Sequence, residues 1–65
     1  MDRVYVYRLT PYNHSLIRDT FHVLARDLGH AFDFIYHYLG ANFCPAEEFC
    51  GEELNDFPDD VLYAE

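Results

Sequence analysis

The stretch that decides the fold is "RVYVYRL", residues 3 to 9. Valine and tyrosine alternate from position 4 to position 7, which is the period of two that a half-buried β-strand shows. Pro11 predicts the end of this strand, because proline cannot donate to a ladder of backbone hydrogen bonds. The sequence therefore predicts a β-strand close to the N-terminus.

The middle of the chain has the periodicity of a helix. Asn13 is a suitable N-cap and Gly40 is a natural C-terminal cap, which predicts a helix between them. Gly29 costs about 1 kcal/mol relative to alanine inside a helix, so we expect a kink or a break there. The apolar residues that recur at steps of three and four are Ile17, Phe21, Leu24, Leu28, Ala31 or Phe32, Ile35 and Leu39.

A second helix is predicted to begin at Pro45 and to run to about Asp56. Proline is favoured in the first turn, where its missing N–H does no harm, and acidic residues there complement the helix dipole. At about 100° per residue, one face of this helix carries apolar side chains and the other carries carboxylates. The apolar face holds Cys50, Leu54 and Phe57; the opposite face holds Glu48, Glu52, Glu53 and Asp56, with Phe49 among them.

Together these elements predict a small α+β domain over residues 1 to 65, with the N-terminal strand packed against two or three helices. The last residues, "VLYAE" (61 to 65), fit either a short strand that pairs with residues 3 to 9 or a final helical turn. The chain has 6 Phe and 6 Tyr, each able to bury roughly 150–250 Å². We expect a monomer or a weak dimer.

The sequence also predicts where the protein resides. Its start lacks the basic and apolar regions of a secretory signal. The longest uncharged run, residues 34 to 46, is shorter than the roughly 20 apolar residues of a membrane span. We therefore expect a soluble cytoplasmic protein, in which Cys44 and Cys50 are reduced thiols.

The charge of the chain is concentrated at one end. The formal net charge is −8, from 12 Asp and Glu against 4 Lys and Arg. Acids and arginines balance over residues 1 to 43, so residues 44 to 65, the acidic segment, carry the excess. Apolar residues such as Phe49 and Leu54 interrupt the acids, which favours a docked segment over a disordered acidic tail. Its carboxylates are Glu47, Glu48, Glu52, Glu53, Asp56, Asp59, Asp60 and Glu65.

Several classes of function are disfavoured by the residues. Cys44 and Cys50 lie six positions apart, and no two histidines have the i,i+4 spacing of a helical zinc site. Ser15 is the only serine, and it lacks the glycines of a nucleophile elbow. We therefore expect no catalytic residue, no metal and no cofactor. The histidines, His14, His22, His30 and His37, recur every seven or eight residues and indicate the polar border of a packed helix.

The acidic segment favours a different class, the mimicry of DNA. Duplex DNA carries one negative charge per roughly 1.7 Å and would repel this chain, so we expect no direct binding of nucleic acid. Regularly spaced carboxylates can instead occupy a basic DNA-binding groove, and the segment contains no cation to neutralise them. The alternative is a merely solubilising surface. The candidate partner-binding residues are Glu47, Glu48, Glu52, Glu53, Asp56, Asp59 and Asp60, with Phe49 as a hydrophobic contact.

Two stretches resemble the antirestriction DNA-mimic family. "VYVYRLTPYN", residues 4 to 13, resembles its opening strand, which ends in a Tyr-Asn pair. "PAEEFCGEELNDFP", residues 45 to 58, resembles its later acidic segment, where a Glu-Glu-aromatic triplet precedes an acidic turn with Phe. The chain has about the length of one subdomain of that larger family, which puts dimeric mimicry of a long duplex in doubt.

The small size, strong acidity and lack of a catalytic motif resemble those of phage-encoded anti-CRISPR proteins. This resemblance implies a non-enzymatic inhibitor that occupies the DNA- or PAM-binding surface of a type I CRISPR effector complex. The alternative is a protein interaction module, antitoxin-like or regulatory, that binds through an aromatic face. That face would comprise Tyr5, Tyr7, Tyr36 and Tyr38.

Overall fold

The computed structural model describes residues 3 to 40 and 42 to 64 and confirms a single α+β domain. Four strands form one sheet in the order β3-β1-β2-β4. Strand β1 is antiparallel to β2 and β3, whereas β4 is parallel to β2. The elements are β1 (Tyr5–Pro11), β2 (Phe21–Ala25), α1 (Leu28–Tyr38), α2 (Pro45–Glu48), β3 (Phe49–Leu54) and β4 (Leu62–Tyr63).

Strand β1 lies at the centre of the sheet, and its alternating pattern is confirmed. Tyr7 and Leu9 belong to the core cluster together with Val23 of β2. Residues between these core positions point to the opposite side, because successive side chains of a strand alternate. We call that side the outer face; it carries Val6, Arg8, His22, Leu24, Glu52 and Leu54.

Helix α1 covers the core side of the sheet. Ala31 and Ile35, four residues apart on one side of the helix, are both fully buried. Asp27 is the N-cap, since its carboxylate accepts a 2.8 Å hydrogen bond from the backbone N–H of His30. Gly40 ends the helix with a φ of 62°. The sequence thus predicted the second half of this helix and its C-terminal signal correctly.

The predicted start of the helix at Asn13 is wrong. Asn13 lies in a turn, and residues 21 to 25, predicted as helical, form strand β2. The alternation of Phe21, Val23 and Ala25 lets this strand add to the edge of β1, and that pairing overrides the spacing of three and four. The predicted stripe of histidines is also wrong, because two of its four members lie outside α1.

The predicted helix from Pro45 to about Asp56 is also wrong beyond its first turn. Pro45 does begin α2, but α2 ends at Glu48 and the chain continues as β3. The short strand β4 confirms an extended C-terminal segment, although β4 pairs with β2 and not with β1. Strand β3 takes that place beside β1, because it offers six residues for pairing where β4 offers two.

Residues 55 to 61 connect β3 to β4, which lie at opposite edges of the sheet. This crossover passes over the outer face, because Oδ1 of Asp60 lies 3.6 Å from Nδ1 of His22, an outer-face residue. Val6 also points to that face, yet it is only 6% exposed, as expected for a side chain that the crossover covers.

None of the helices among the described residues has the length and apolar character that a membrane span requires.

Gly51 allows α1 to pack closely on β3. A Cβ atom at this position would lie 2.4 Å from Cδ1 and 3.1 Å from Cγ of Leu28. We expect Gly51→Ala to lower the free energy of unfolding by about 1–3 kcal/mol, the usual cost of overpacking, in urea denaturation. In a Leu28→Ala background the same glycine change should cost less, as a double-mutant cycle would show. Equal stability of Gly51→Ala and the wild type would contradict this packing.

A candidate acidic interface

The candidate site lies along one edge of the sheet. Strand β3 is an edge strand, and α2 leads directly into it. β3 itself extends about 20 Å, and the line from α2 past its end carries Glu47 and Glu48 on α2, Glu53 on β3 and Asp56 in the bend after β3. Glu47, Glu53 and Asp56 are exposed along this line, whereas Glu48 is partly buried. We call these four residues the acidic edge.

The loop after β1 fixes the start of the acidic edge. The backbone N–H of Tyr12 donates a 2.9 Å hydrogen bond to the carbonyl of Glu48. Nε2 of His14 lies 3.0 Å from the carbonyl oxygen of Glu47, and the imidazole ring stacks on Tyr12. Both contacts use backbone carbonyls, so neither occupies the side-chain carboxylate of Glu47 or Glu48. They hold in place the backbone that carries these two side chains.

The structure corrects the role predicted for Phe49. This side chain is only 1% exposed, and its ring lies 6.0 Å from that of Phe21 and 6.4 Å from that of Phe43. It points into the core because β3 is a strand, so that its neighbour Cys50 takes the exposed side. Phe49 therefore anchors the acidic segment to the domain and is not available as a hydrophobic contact for a partner. The segment is docked, as predicted; Glu65 lies outside the described residues.

Glu52 lies on the outer face and is paired. Its Oε1 is 3.6 Å from Nη1 of Arg8, the residue opposite it on β1. Arg8 is also opposite His22 of β2, whose ring approaches Asp60. The fold thus brings the Arg8 guanidinium against Glu52 and the His22 imidazole against Asp60. The acidic segment contains no cation of its own, but Arg8 from the first part of the chain lies beside one of its carboxylates.

Asp59 and Asp60 stand apart from the acidic edge. Both lie in the crossover and line a groove with Asp19 and β4, at the other side of the sheet from β3. The predicted carboxylates therefore divide into three groups: the acidic edge, the paired Glu52, and this second acidic site. Asp19 was missed because charges balance over residues 1 to 43, and only the fold places it here.

Glu53 also acts on the core side of the sheet, next to Tyr7. Burial raises the pKa of the Tyr7 phenol above its ordinary value of 10.0, and the negative charges of Glu53 and Asp27 add to the effect. A raised pKa in the folded state stabilises the protein below the pKa of the unfolded chain. That stability is lost as the pH rises from about 10 through the folded pKa, because the unfolded phenol ionises first.

We therefore expect the free energy of unfolding to fall above pH 10, and to fall less steeply in Tyr7→Phe than in the wild type. Urea denaturation between pH 8 and 11 measures this difference. Tyr63→Phe is the matched control, since Tyr63 is 60% exposed. An equally steep fall in Tyr7→Phe and the wild type would show that Tyr7 does not contribute.

The alternative aromatic face does not form as predicted. Tyr7 is only 8% exposed, and Tyr38 packs against Phe21 and Phe34. Tyr36 instead lines an open groove of about 870 Å³ between α1 and residues 42 to 46. The four tyrosines therefore do not share one surface, which leaves the acidic edge as the stronger candidate site.

The described residues contain no group of three or more His, Cys, Asp or Glu side chains that could hold a metal ion. Cys44 and Cys50 are exposed and unbridged. No protein-family model, curated protein or solved structure matches the chain.

Proposed function

We propose that this protein is a non-enzymatic, phage-encoded anti-CRISPR protein that acts in the bacterial cytoplasm as a DNA mimic. It occupies the basic DNA- or PAM-binding surface of a type I CRISPR effector complex and excludes target DNA. The observation that carries the proposal is the acidic edge, whose carboxylates lie on α2, on β3 and in the bend that follows β3. The resemblances of the sequence name the class of partner.

The length of the molecule supports mimicry of duplex DNA. The longest extent of the protein is 36 Å, close to the roughly 34–36 Å of one turn of duplex. A basic groove that follows one turn of DNA could therefore accommodate the whole length of the molecule.

The charge distribution supports a competitor for DNA. Arg8 neutralises Glu52 locally, but Glu47, Glu53 and Asp56 are exposed and have no ion pair among the described residues. Exposed charges of one sign steer association with a surface of opposite sign, and salt screens this attraction over about 8–10 Å. Asp59 and Asp60 extend the acidic surface to the far side of the sheet and provide a second contact for a broad groove.

A mobility-shift assay with purified type I effector complexes tests the proposal. We expect the protein to abolish binding of target duplex at low salt and to lose this effect as salt rises to moderate concentrations. Each salt point needs a control without the protein, because DNA binding by the effector is itself salt-dependent. Undisturbed DNA binding at every salt concentration would refute the mechanism for the complexes tested.

A further inference from the structure

The free edge of β3 offers backbone groups as well as charge. The bond from the N–H of Tyr12 to the carbonyl of Glu48 continues the register of β1 and β3. Residues opposite each other in an antiparallel pair alternate between hydrogen-bonded and non-hydrogen-bonded. The even-numbered residues of β3 therefore bond to β1, and the odd-numbered residues direct their N–H and C=O groups away from the sheet.

Two of the described residues on this edge have both of their outward backbone groups unpaired. Among the described residues, the outward N–H and C=O groups of Gly51 and Glu53 have no backbone partner. The outward N–H of Phe49 is already used, because it donates to the carbonyl of Pro45. An unpaired edge of this kind is a template for one more strand.

The side chains around this edge indicate which strand it would accept. An antiparallel second copy that paired Gly51 with Glu53 would place Glu52 directly opposite its own equivalent, and like charges directly opposite each other destabilise strand pairing. A strand with basic residues opposite Glu52 and Glu53 would have complementary charge. Opposite Gly51, the partner's side chain would meet Leu28, which fills the space above that glycine.

We propose that β3 binds its partner by strand addition, and that the partner supplies an extended basic segment with the order basic, basic, apolar. This rests on the proposed function, since it names how the basic partner is held at the acidic edge. In an antiparallel arrangement the three residues lie opposite Glu53, Glu52 and Gly51. The backbone of the edge supplies affinity that a purely electrostatic contact would not use, and the side chains around the edge supply the specificity.

A capped peptide, Thr-Thr-Arg-Arg-Val-Thr-Thr, is the probe. NMR titration of the full chain should show binding, with the amides of Gly51 and Glu53 shifting and gaining protection from hydrogen exchange. A control peptide is N-methylated at its second Arg and at its Val, whose N–H groups point to opposite edges of the extended peptide. Whichever edge of the peptide meets β3 has then lost one donor, so this peptide should bind at least tenfold more weakly. Equal binding of the two peptides, changes confined to other residues, or no binding would each overturn the proposal.

Variants at Glu53 separate backbone from charge. Glu53→Pro removes an outward N–H without removing a bond to β1, whereas Glu53→Gln removes only the charge. We expect Glu53→Pro to bind the peptide at least tenfold more weakly than Glu53→Gln, with circular dichroism to verify that both fold. Equal peptide binding by the two variants would overturn strand addition, and if Glu53→Pro does not fold, the N-methylated peptide decides.

The same variants keep this inference distinct from the proposed function. If Glu53→Pro excludes DNA from the effector complex as well as Glu53→Gln does, strand addition is overturned and the proposed function stands. If the wild type binds the peptide at this edge but never excludes DNA, the proposed function fails alone.

Discussion

Phe49→Ala is expected to remove about half or more of the protein's free energy of unfolding. Removing a fully buried phenylalanine costs about 3–5 kcal/mol, and a 65-residue chain has on the order of 3–10 kcal/mol of total stability at about 0.05–0.15 kcal/mol per residue. The loss falls at the contact of Phe49 with Phe21 and Phe43, where the core holds the acidic segment. Urea denaturation followed by circular dichroism measures it.

Phe57→Ala is the matched control, because it makes the same chemical change at a side chain that is 60% exposed. We expect it to change the free energy of unfolding by less than about 1 kcal/mol. If Phe49→Ala were as stable as Phe57→Ala and only lost inhibition, Phe49 would be a partner contact after all and its place in the core would be wrong.

Reversing charge on the acidic edge is expected to weaken binding to the effector complex by one to two orders of magnitude. Like charges brought together in an interface cost several kcal/mol, and about 1.4 kcal/mol is a factor of ten in affinity. We expect Glu53→Lys to weaken binding to the effector complex at least tenfold. Adding Asp56→Lys should bring the loss to about a hundredfold. Titration of labelled protein into the effector complex at low salt measures both.

Asp33→Lys is the control for the change in net charge. Asp33 is exposed on α1, 3.7 Å from His37 and outside the acidic segment. We expect this variant to bind within threefold of the wild type. If Asp33→Lys weakened binding as much as Glu53→Lys, overall charge and not the acidic edge would determine affinity.

The sequence predicted the elements whose pattern is local. The alternation in β1, the proline that begins α2 and the glycine after α1 each depend on a few neighbouring residues. Strand β2 was missed because Phe21, Leu24 and Leu28 also fit helical spacing. The pairing of residues 21 to 25 with β1 is a contact between distant positions that the pattern does not contain.

The candidate site was predicted in composition but not in arrangement. Pro45 and the acidic residues after it fit the first turn of a helix, so "FCGEEL" (49 to 54) was assigned to that helix, which placed Phe49 on the surface. As a strand, the same stretch directs Phe49 into the core and leaves Glu53 at the edge. The pairing of Glu52 with Arg8 joins residues 44 positions apart, and only the register of β1 with β3 reveals it.

The most direct test of the central claim is a competition experiment between this protein and DNA. Labelled protein would be titrated into a type I effector complex in the presence of increasing target duplex at constant low salt. If the acidic edge occupies the DNA-binding surface, the apparent Kd of the protein rises in proportion to the duplex concentration. An apparent Kd that saturating duplex leaves unchanged would show that protein and DNA bind together, and would contradict DNA mimicry.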